Sequence, residues 1–313
     1  MIAHIGCGYW GKNISNTLFN QGILSAVHDF DAKIHKEYSR KYSLPLLSFN
    51  EILANKDILA CSVATPAASH YEISKKILLS GKHLFVEKPI CLKIEHANEL
   101  KHIADKKNLK IMVGHLLHYH AGFQELKNIL QKKTFGSIKR IKSYRKSFGI
   151  LRLDEDVIWS FAPHDISMAL SIARTHDTSN LAIQRRKYFN KNTDSASISF
   201  TCNNIPVEIE VDWCSSEKIQ RFEVYCENGI IILDDTLNIE KKLKKLEINF
   251  STKSLQNKNH LDFEPVIYQN SMLPLEAELI AFYKSFTQNN FEIYNDVNEA
   301  ISVLRVLTEI NRL

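Results

Sequence analysis

The sequence predicts an α/β chain in two domains. A doubly wound parallel sheet occupies residues 1–118, and an α+β domain with a large, mostly antiparallel sheet occupies 119–313. Three observations carry this. Short apolar runs alternate with helical periodicity through the first third. After that the helices thin out and strand follows strand, the pattern of an antiparallel sheet. At 313 residues the chain is also too long for one ordinary core.

Composition bounds the class. Hydrophobic residues make up 44% and charged residues 24%, as in soluble globular proteins. A net charge of +5 is slight for this length, so it gives no argument for nucleic acid, although it suits an anionic small molecule. The densest basic run, Lys241 to Lys245, reads as a solvated edge or turn. Six cysteines show no Cys-x-x-Cys pair, and Cys61 and Cys226 lie in apolar strand-like runs, which indicates a reducing compartment. No apolar run approaches the ~20 residues of a membrane span. The first residues enter a strand at once, with no room for a secretory leader. The expectation is a cytoplasmic protein with neither membrane nor nucleic-acid partners.

Met1 to Ile5 reads as a buried strand that runs directly into Gly6-Cys7-Gly8-Tyr9-Trp10-Gly11. A helix, Lys12 to Gln21, and a second strand, Ile23 to His28, end at Asp29. This is Gly-x-Gly-x-x-Gly between strand and helix, followed by an acid 18 residues after the last glycine (11 to 29). Gly6 permits the tight turn and Gly8 lets a pyrophosphate approach the backbone. Gly11 lets helix and strand pack closely, and the helix N-terminus offers amide donors. Asp29 accepts hydrogen bonds from ribose hydroxyls and repels a 2′-phosphate, so the cofactor read here is NAD, with NADP less favoured. Tyr9 and Trp10 pack either on the cofactor or on the sheet.

Helices at Asp31–Tyr42 and Asn50–Ala54 precede a strand, Ile58–Ala64, that ends in Thr65-Pro66. The helix His70–Ser80 is closed by Gly81. The strand His83–Glu87 ends in Glu87-Lys88-Pro89, and a helix at Ile94–Lys107 and a strand at Lys110–Val113 follow. This spacing places Gly6, Asp29, Thr65, Lys88 and His115 at strand carboxyl ends on one rim, where open α/β sheets bind ligands. Glu87-Lys88 taken alone is a solvated strand end. On the cofactor rim Lys88 becomes a candidate for chemistry, with the proline fixing where it points.

In the second domain a helix spans Phe123–Gln131 and a strand Ile138–Phe148. A charged loop, Leu151 to Asp156, leads to Trp159-Ser160-Phe161-Ala162-Pro163-His164-Asp165. A helix predicted at Ile166–Ala173 puts His164 in its entry turn and Asp165 at its N-terminus. Strands at 181–188, 195–201, 206–213, 221–226 and 229–233 and amphipathic helices at 275–287 and 297–312 complete the chain.

The glycine turn, Thr65-Pro66-Ala67-Ala68-Ser69-His70, Gly81-Lys82-His83 and Glu87-Lys88-Pro89 occur in order. Together they resemble the glucose-fructose oxidoreductase/inositol dehydrogenase (Gfo/Idh/MocA) family across essentially the whole chain. The resemblance implies a Rossmann domain, Lys88 beside the nicotinamide, and cofactor contacts from Gly6, Gly8, Tyr9, Trp10, Gly11, Asp29, Thr65, Pro66, His70 and Glu87. It also implies a homodimer or homotetramer through the second sheet. His164 matches the family's histidine, but Ser160 stands four residues before it where many members carry an acid. Trp159 to Asp165 and Val211-Asp212-Trp213 resemble a narrower branch acting on nucleotide-linked sugars in surface-polysaccharide pathways.

Oxidising a sugar hydroxyl needs a base for its proton while hydride leaves for the nicotinamide. His164, titrating near neutrality, suits the base. Lys88 suits the oxygen, where electrostatic assistance is worth ~3 kcal/mol or more in a dry site. His115, Arg152, Trp159, Ser160 and Asp165 are the substrate candidates. Arg145, Lys218 and Arg221 read singly as solvated strand residues. His115, His118 and His120 lack accompanying Cys or carboxylate ligands, so no metal is expected. The reading is an NAD-dependent dehydrogenase of a nucleotide-sugar hydroxyl at C3. Its rivals are a free polyol or aldose dehydrogenase of the inositol type and a dinucleotide-binding sensor without turnover.

Overall fold

In the computed structural model, which describes residues 1–148, 155–189, 191–248 and 262–313, the chain forms two units. The first comprises Met1–Tyr119 and Met272–Arg305, the second His120–Ser271 and Val306–Leu313.

The first unit alternates β1 (Ile2–Ile5), α1 (Gly11–Asn20), β2 (Leu24–His28), α2 (Ala32–Lys41), α3 (Phe49–Ala54), β3 (Ala60–Val63), α4 (Ala67–Leu79), β4 (His83–Val86), α5 (Ile94–Lys107) and β5 (Ile111–Val113). The five strands pair in parallel in the order β2-β1-β3-β4-β5. The direction of winding reverses between β1 and β3, the point at which such sheets bind ligands. Every residue of β1, β3 and β5 is buried, as expected of strands covered on both faces.

The second unit contains α6 (Ala121–Gln131), β6 (Ile138–Phe148), α7 (Val157–Ala173), β7 (Ser179–Arg186), β8 (Ser195–Cys202), β9 (Ile205–Asp212), β10 (Cys214–Cys226), β11 (Gly229–Asp234), α8 (Ile239–Lys242), β12 (Leu243–Glu247) and β13 (Glu264–Pro265). Its eight strands run β13-β12-β11-β10-β6-β9-β8-β7, antiparallel except for the parallel pair β6 and β9. Alternation decides the faces: Val207, Ile209 and Val211 of β9 are buried on one side, and α7 packs there.

Three expectations are corrected. The helix predicted from Ile166 begins nine residues earlier, at Val157, because Asp156 caps it by accepting the Trp159 amide (3.1 Å). Pro163 reads as a stop signal yet lies inside, where it removes the bond to the Trp159 carbonyl. Burial of most of the helix offsets that loss. His164 is therefore mid-helix, and Asp165 is not an N-terminal residue. The basic run at Lys241–Lys245, read as a solvated edge or turn, instead ends α8 and forms β12, pairing Leu243 with Leu233.

The third correction concerns the end of the chain. The sequence division assigns everything after 118 to one domain, whereas Met272–Arg305, with α9 (Pro274–Thr287) and most of α10 (Val297–Ile310), belongs to the first unit. The reason is apolar: Leu279, Ala281 and Phe282 share a core with Ile14, Leu18 and Phe85, and Phe282 meets Phe85 at 5.8 Å between ring centroids. Replacing Phe282 with Ala should therefore destabilise the first unit by about 3–5 kcal/mol. Urea unfolding followed by tryptophan emission and circular dichroism measures this, and an unchanged midpoint would remove α9 from that core.

Candidate functional site

Register builds the site. Ile5 pairs with His28 and Val63, Val63 with Val86, and Val86 with Val113, so all five parallel strands end in one row. The next residue of each chain segment continues the ladder: Gly6 N–H donates to His28 O, Ala64 to Ile5, Glu87 to Val63 and Gly114 to Val86, each at 2.9 Å. Gly6, Asp29, Thr65, Lys88 and His115 consequently leave the sheet along one edge.

At the glycine turn, Gly6 has φ +94°, a conformation a side chain disfavours. A Cβ on Gly11 would lie 1.8 Å from the Gly6 carbonyl oxygen, whereas one on Gly8 would meet no protein atom within 4 Å. Space at Gly8 is thus kept open and is not filled by packing. Asp29 braces the turn: its Oδ2 accepts the Cys7 amide (2.7 Å) and its Oδ1 the Asp31 amide (2.9 Å). A carboxylate offers about four acceptor positions, so lone pairs remain for hydroxyl donors. His4, which sequence reasoning missed, supports the turn from below. It is fully buried, with Nε2 donating to Gly6 O (2.8 Å) and Nδ1 against Ser62 Oγ (2.8 Å). Burial takes its pKa down to about 4, so it stays neutral.

The strand end at Glu87-Lys88-Pro89 is tied to the same turn. Trp10 donates its indole N–H to Glu87 Oε1 (2.7 Å), and the Lys88 amide donates to Oε2 (3.2 Å). Burial raises the Glu87 pKa against the opposing pull of Trp10 and Lys88. Lys88 is half-buried and Tyr9, 73% exposed, stands out in solvent. The ring nitrogens of His70 face the carbonyls of Pro89 and Thr65, both at 2.7 Å, so His70 joins the two turns that carry Thr65-Pro66 and Lys88. Burial pushes its pKa below the ordinary value, outweighing both carbonyls.

The three clustered histidines separate. His115 donates Nδ1–H to Glu299 Oε2 (2.6 Å), and His118 Nε2 lies 3.5 Å from Oε1, all within the first unit. Burial opposes ionisation of Glu299, but the two histidines hold it below the usual carboxylate range. His120 belongs to the second unit and meets Asp235 at 3.1 Å. Among the described residues no three His, Cys, Asp or Glu side chains are arranged to hold a metal ion.

On α7, Ser160 and His164 are one turn apart and share a face, with Trp159 beside them. Ser160 is buried, and Trp159 and His164 are half-buried. Asp165 is 1% exposed and is engaged inside the unit. It accepts Ser143 Oγ–H (2.7 Å) and a two-pronged contact from Arg145, Nε at 2.7 Å and Nη2 at 3.1 Å. Arg145 and Asp165 therefore satisfy each other. Arg221 likewise pairs with Asp234 (2.9 Å), and Lys218 is exposed. Arg152 lies outside the described residues.

Sequence reasoning also missed Glu278, Glu299 and Asn295, which come from the C-terminal stretch to stand behind the rim. A signal existed for Glu278, which falls in the apolar stripe Leu275, Leu279, Phe282 and Phe286 of α9.

A glycine turn between β1 and α1, an acid closing β2 and an open rim at the switch point define a dinucleotide-binding doubly wound domain. Residues 1–115 match the model of an oxidoreductase family with an NAD-binding Rossmann fold. The match is to the Gfo/Idh/MocA oxidoreductases and is confined to these first 115 residues. An uncharacterised oxidoreductase of Synechocystis is 26% identical over 213 residues, 59% of this chain and 57% of its own length. The UDP-N-acetylglucosamine 3-dehydrogenase of Acidithiobacillus ferrooxidans is 25% identical over 241 residues, 75% of each chain. Its solved structure superposes on 99% of this chain and 95% of its own with a TM-score of 0.87 and 20% identity, a likeness of fold. A scyllo-inositol 2-dehydrogenase (NADP(+)) of Bacillus subtilis is 26% identical over 162 residues, half of this chain and 44% of its own length.

The two glycines separate binding from folding. Gly8→Ala should leave the melting temperature unchanged and weaken dinucleotide affinity roughly tenfold or more, about 1.4 kcal/mol. Gly11→Ala should lower the melting temperature itself, because its Cβ has no room. Calorimetry and NADH fluorescence titration measure both. Equal melting losses for the two variants would contradict the assignment of the open space at Gly8.

Proposed function

We propose that the chain is an NAD-dependent oxidoreductase that transfers hydride between a sugar hydroxyl and the nicotinamide. The favoured substrate is a nucleotide-sugar oxidised at C3, in the making of surface-polysaccharide sugars. The observation that carries this reading is the single row of strand ends, which brings Gly6, Asp29 and Lys88 to one edge of the first unit. Similarity to the UDP-N-acetylglucosamine 3-dehydrogenase over three quarters of both chains supports the substrate class.

Glycine turn and α1 N-terminus would hold the pyrophosphate, and Asp29 the adenosine ribose. Thr65, Pro66 and Trp10 would border the cofactor. The bound cofactor supplies the hydride acceptor. Lys88 would bind the reacting oxygen and stabilise its developing charge, and His164 would take the hydroxyl proton. Ser160, one turn before His164 on the same face of α7, brings no carboxylate there, which leaves His164 as the proposed base of that face. His115, Trp159 and Arg152 remain candidates for substrate contact. Asp165 acts through Arg145. We assign NAD over NADP because a carboxylate at position 29 repels a 2′-phosphate. The six free thiols favour a reducing, cytoplasmic setting, and no helix among the described residues is long and apolar enough to cross a membrane. The face of the second sheet opposite α7, with Arg140, Lys142 and Lys146 alongside Glu208 and Glu210, is proposed for self-association as a dimer or tetramer.

The direct test incubates the protein and NAD with a panel of UDP-sugars and free polyols while NADH absorbance is followed. A response confined to nucleotide sugars is expected. Turnover of polyols alone would establish the inositol-type alternative, and NADH binding with no turnover at all would favour a sensor. Lys88→Ala should lower kcat by about 100-fold or more and leave NAD affinity within twofold. Normal turnover would remove Lys88 from the chemistry. Asp29→Ala should reduce the NAD-over-NADP preference about tenfold, or ~1.4 kcal/mol. An unchanged ratio of kcat/KM values would contradict its role.

A further inference from the structure

Behind Lys88 the first unit buries more acid than its cofactor rim uses. Glu278 is fully buried on α9. Its Oε1 accepts from Asn295 Nδ2 (2.8 Å), and its Oε2 meets no donor. Asn295 is committed elsewhere as well: the same amide donates to Val113 O (2.5 Å), and its oxygen accepts the Tyr119 hydroxyl (3.1 Å). Contacts link Glu278 to Glu87: the Asn295 amide that meets Glu278 also meets Val113 O, and the next residue, Gly114, packs against the Glu87 carboxyl, so that the charge of each acid opposes the other's. A Cβ on Gly114 would lie 2.8 Å from Glu87 Oε1.

Two buried carboxylates at close quarters do not both ionise, since the second charge meets desolvation and like-charge repulsion together. Their donors decide which one keeps the proton. Glu87 receives two N–H donors, from Trp10 and from the Lys88 amide, and lies beside the Lys88 ammonium. Glu278 receives one, and its Oε2 has neither a donor nor an acceptor, so the cheaper form in this buried place is the neutral one, which leaves a hydroxyl unpaired and not a charge. The surrounding groups agree. Glu299 from α10 adds a further negative charge near Glu278, while His115 neutralises Glu299 and favours the Glu87 anion. Tyr119 is pushed well above its ordinary range and stays neutral.

We propose that Glu278 is a positioning residue for the Glu87-Lys88 strand end, the protonated half of a buried carboxyl pair whose other half, Glu87, remains ionised to hold Trp10 and the Lys88 backbone. The proton on Glu278 keeps the net charge beneath Lys88 at one. When it leaves, a second negative charge draws the lysine inward and disturbs the Trp10 bond. This role rests on the proposed chemistry of Lys88, but the pair itself does not.

The indole N–H resonance of Trp10, identified through Trp10→Phe, reports the pair directly. In the wild-type protein it should move in two steps, an acid one as Glu87 protonates and an alkaline one as Glu278 ionises. Glu278→Gln should keep the acid step and abolish the alkaline one. Glu87→Gln, which removes the repelling charge, should shift the remaining Glu278 step to lower pH, read from the carboxyl carbon of the labelled side chain. NADH affinity should fall across the alkaline step in the wild type and stay flat in Glu278→Gln. An alkaline step that persists in Glu278→Gln, or none in the wild type, overturns the proposal. Two clean indole steps without any NADH binding would instead overturn the functional reading and leave the pair standing.

Discussion

Parallel strands in register impose the constraint on which the first unit depends. Because Ile5, His28, Val63, Val86 and Val113 lie in one row, every turn that follows them opens on the same side. A slip of one residue in β4 would reverse its side chains and carry Lys88 off the rim. Burial of whole strands resists such slips, since β1, β3 and β5 bury every residue and their neighbours expose little. The rim is a product of core packing first and of its polar groups second. Those groups then tie the turns to one another: His4 to Gly6, Asp29 to Cys7, Trp10 to Glu87, and His70 to both Thr65 and Pro89.

The second unit solves a different problem with the same economy of polar groups. A buried aspartate on α7 is tolerable because Arg145 of β6 meets it with a forked contact and Ser143 adds a third donor. Removing either partner would leave an uncompensated charge at a largely buried position. That pairing fixes α7 against the sheet at the level of His164, the neighbouring residue. Asp165 and Arg145 thus matter to His164 through packing and orientation, which is a different service from gripping an anion.

Much of this was legible in the sequence because it is local. The glycine spacing, the acid at 29 and the helix at Ile94–Lys107 depend on residues a few turns apart, and α5 matches its expected bounds. What was not legible depends on distant partners. Nothing near Glu278 announces Asn295 or Glu87, and nothing near Arg145 announces Asp165. The start of α7 was lost to a rule that is usually right, since Pro163 stops most helices. The overlooked cue was Asp156, three residues before Trp159 and free to cap its amide. The lysines of β12 hid a strand because Leu243 and Leu246 fall on opposite faces of it, so Leu-Lys-Lys-Leu-Glu shows no alternation of apolar and polar residues. The return of Met272–Arg305 to the first unit is the same kind of loss, as amphipathic periodicity says that a helix has an apolar face and not which core receives it.

Buried ionisable groups are costly, and their placement in the first unit is not scattered. Glu87, Glu278, Glu299, His115 and His118 all lie at the carboxyl edge of the sheet or on the segments that back it. At the opposite edge Lys82 is buried too, but its ammonium meets the Asn55 and Ile58 carbonyls and is a neutral-partner arrangement. A low-dielectric interior strengthens each remaining interaction, so a charge fixed there holds its neighbours more firmly than one in water. The same dryness punishes any surplus, which is why the proton on Glu278 and the two histidines on Glu299 are parts of one balance. With Glu278 neutral and Glu299 matched by its histidines, Glu87 is the anion left to hold Trp10 and the Lys88 amide, and the charge of the Lys88 side chain favours it in that state.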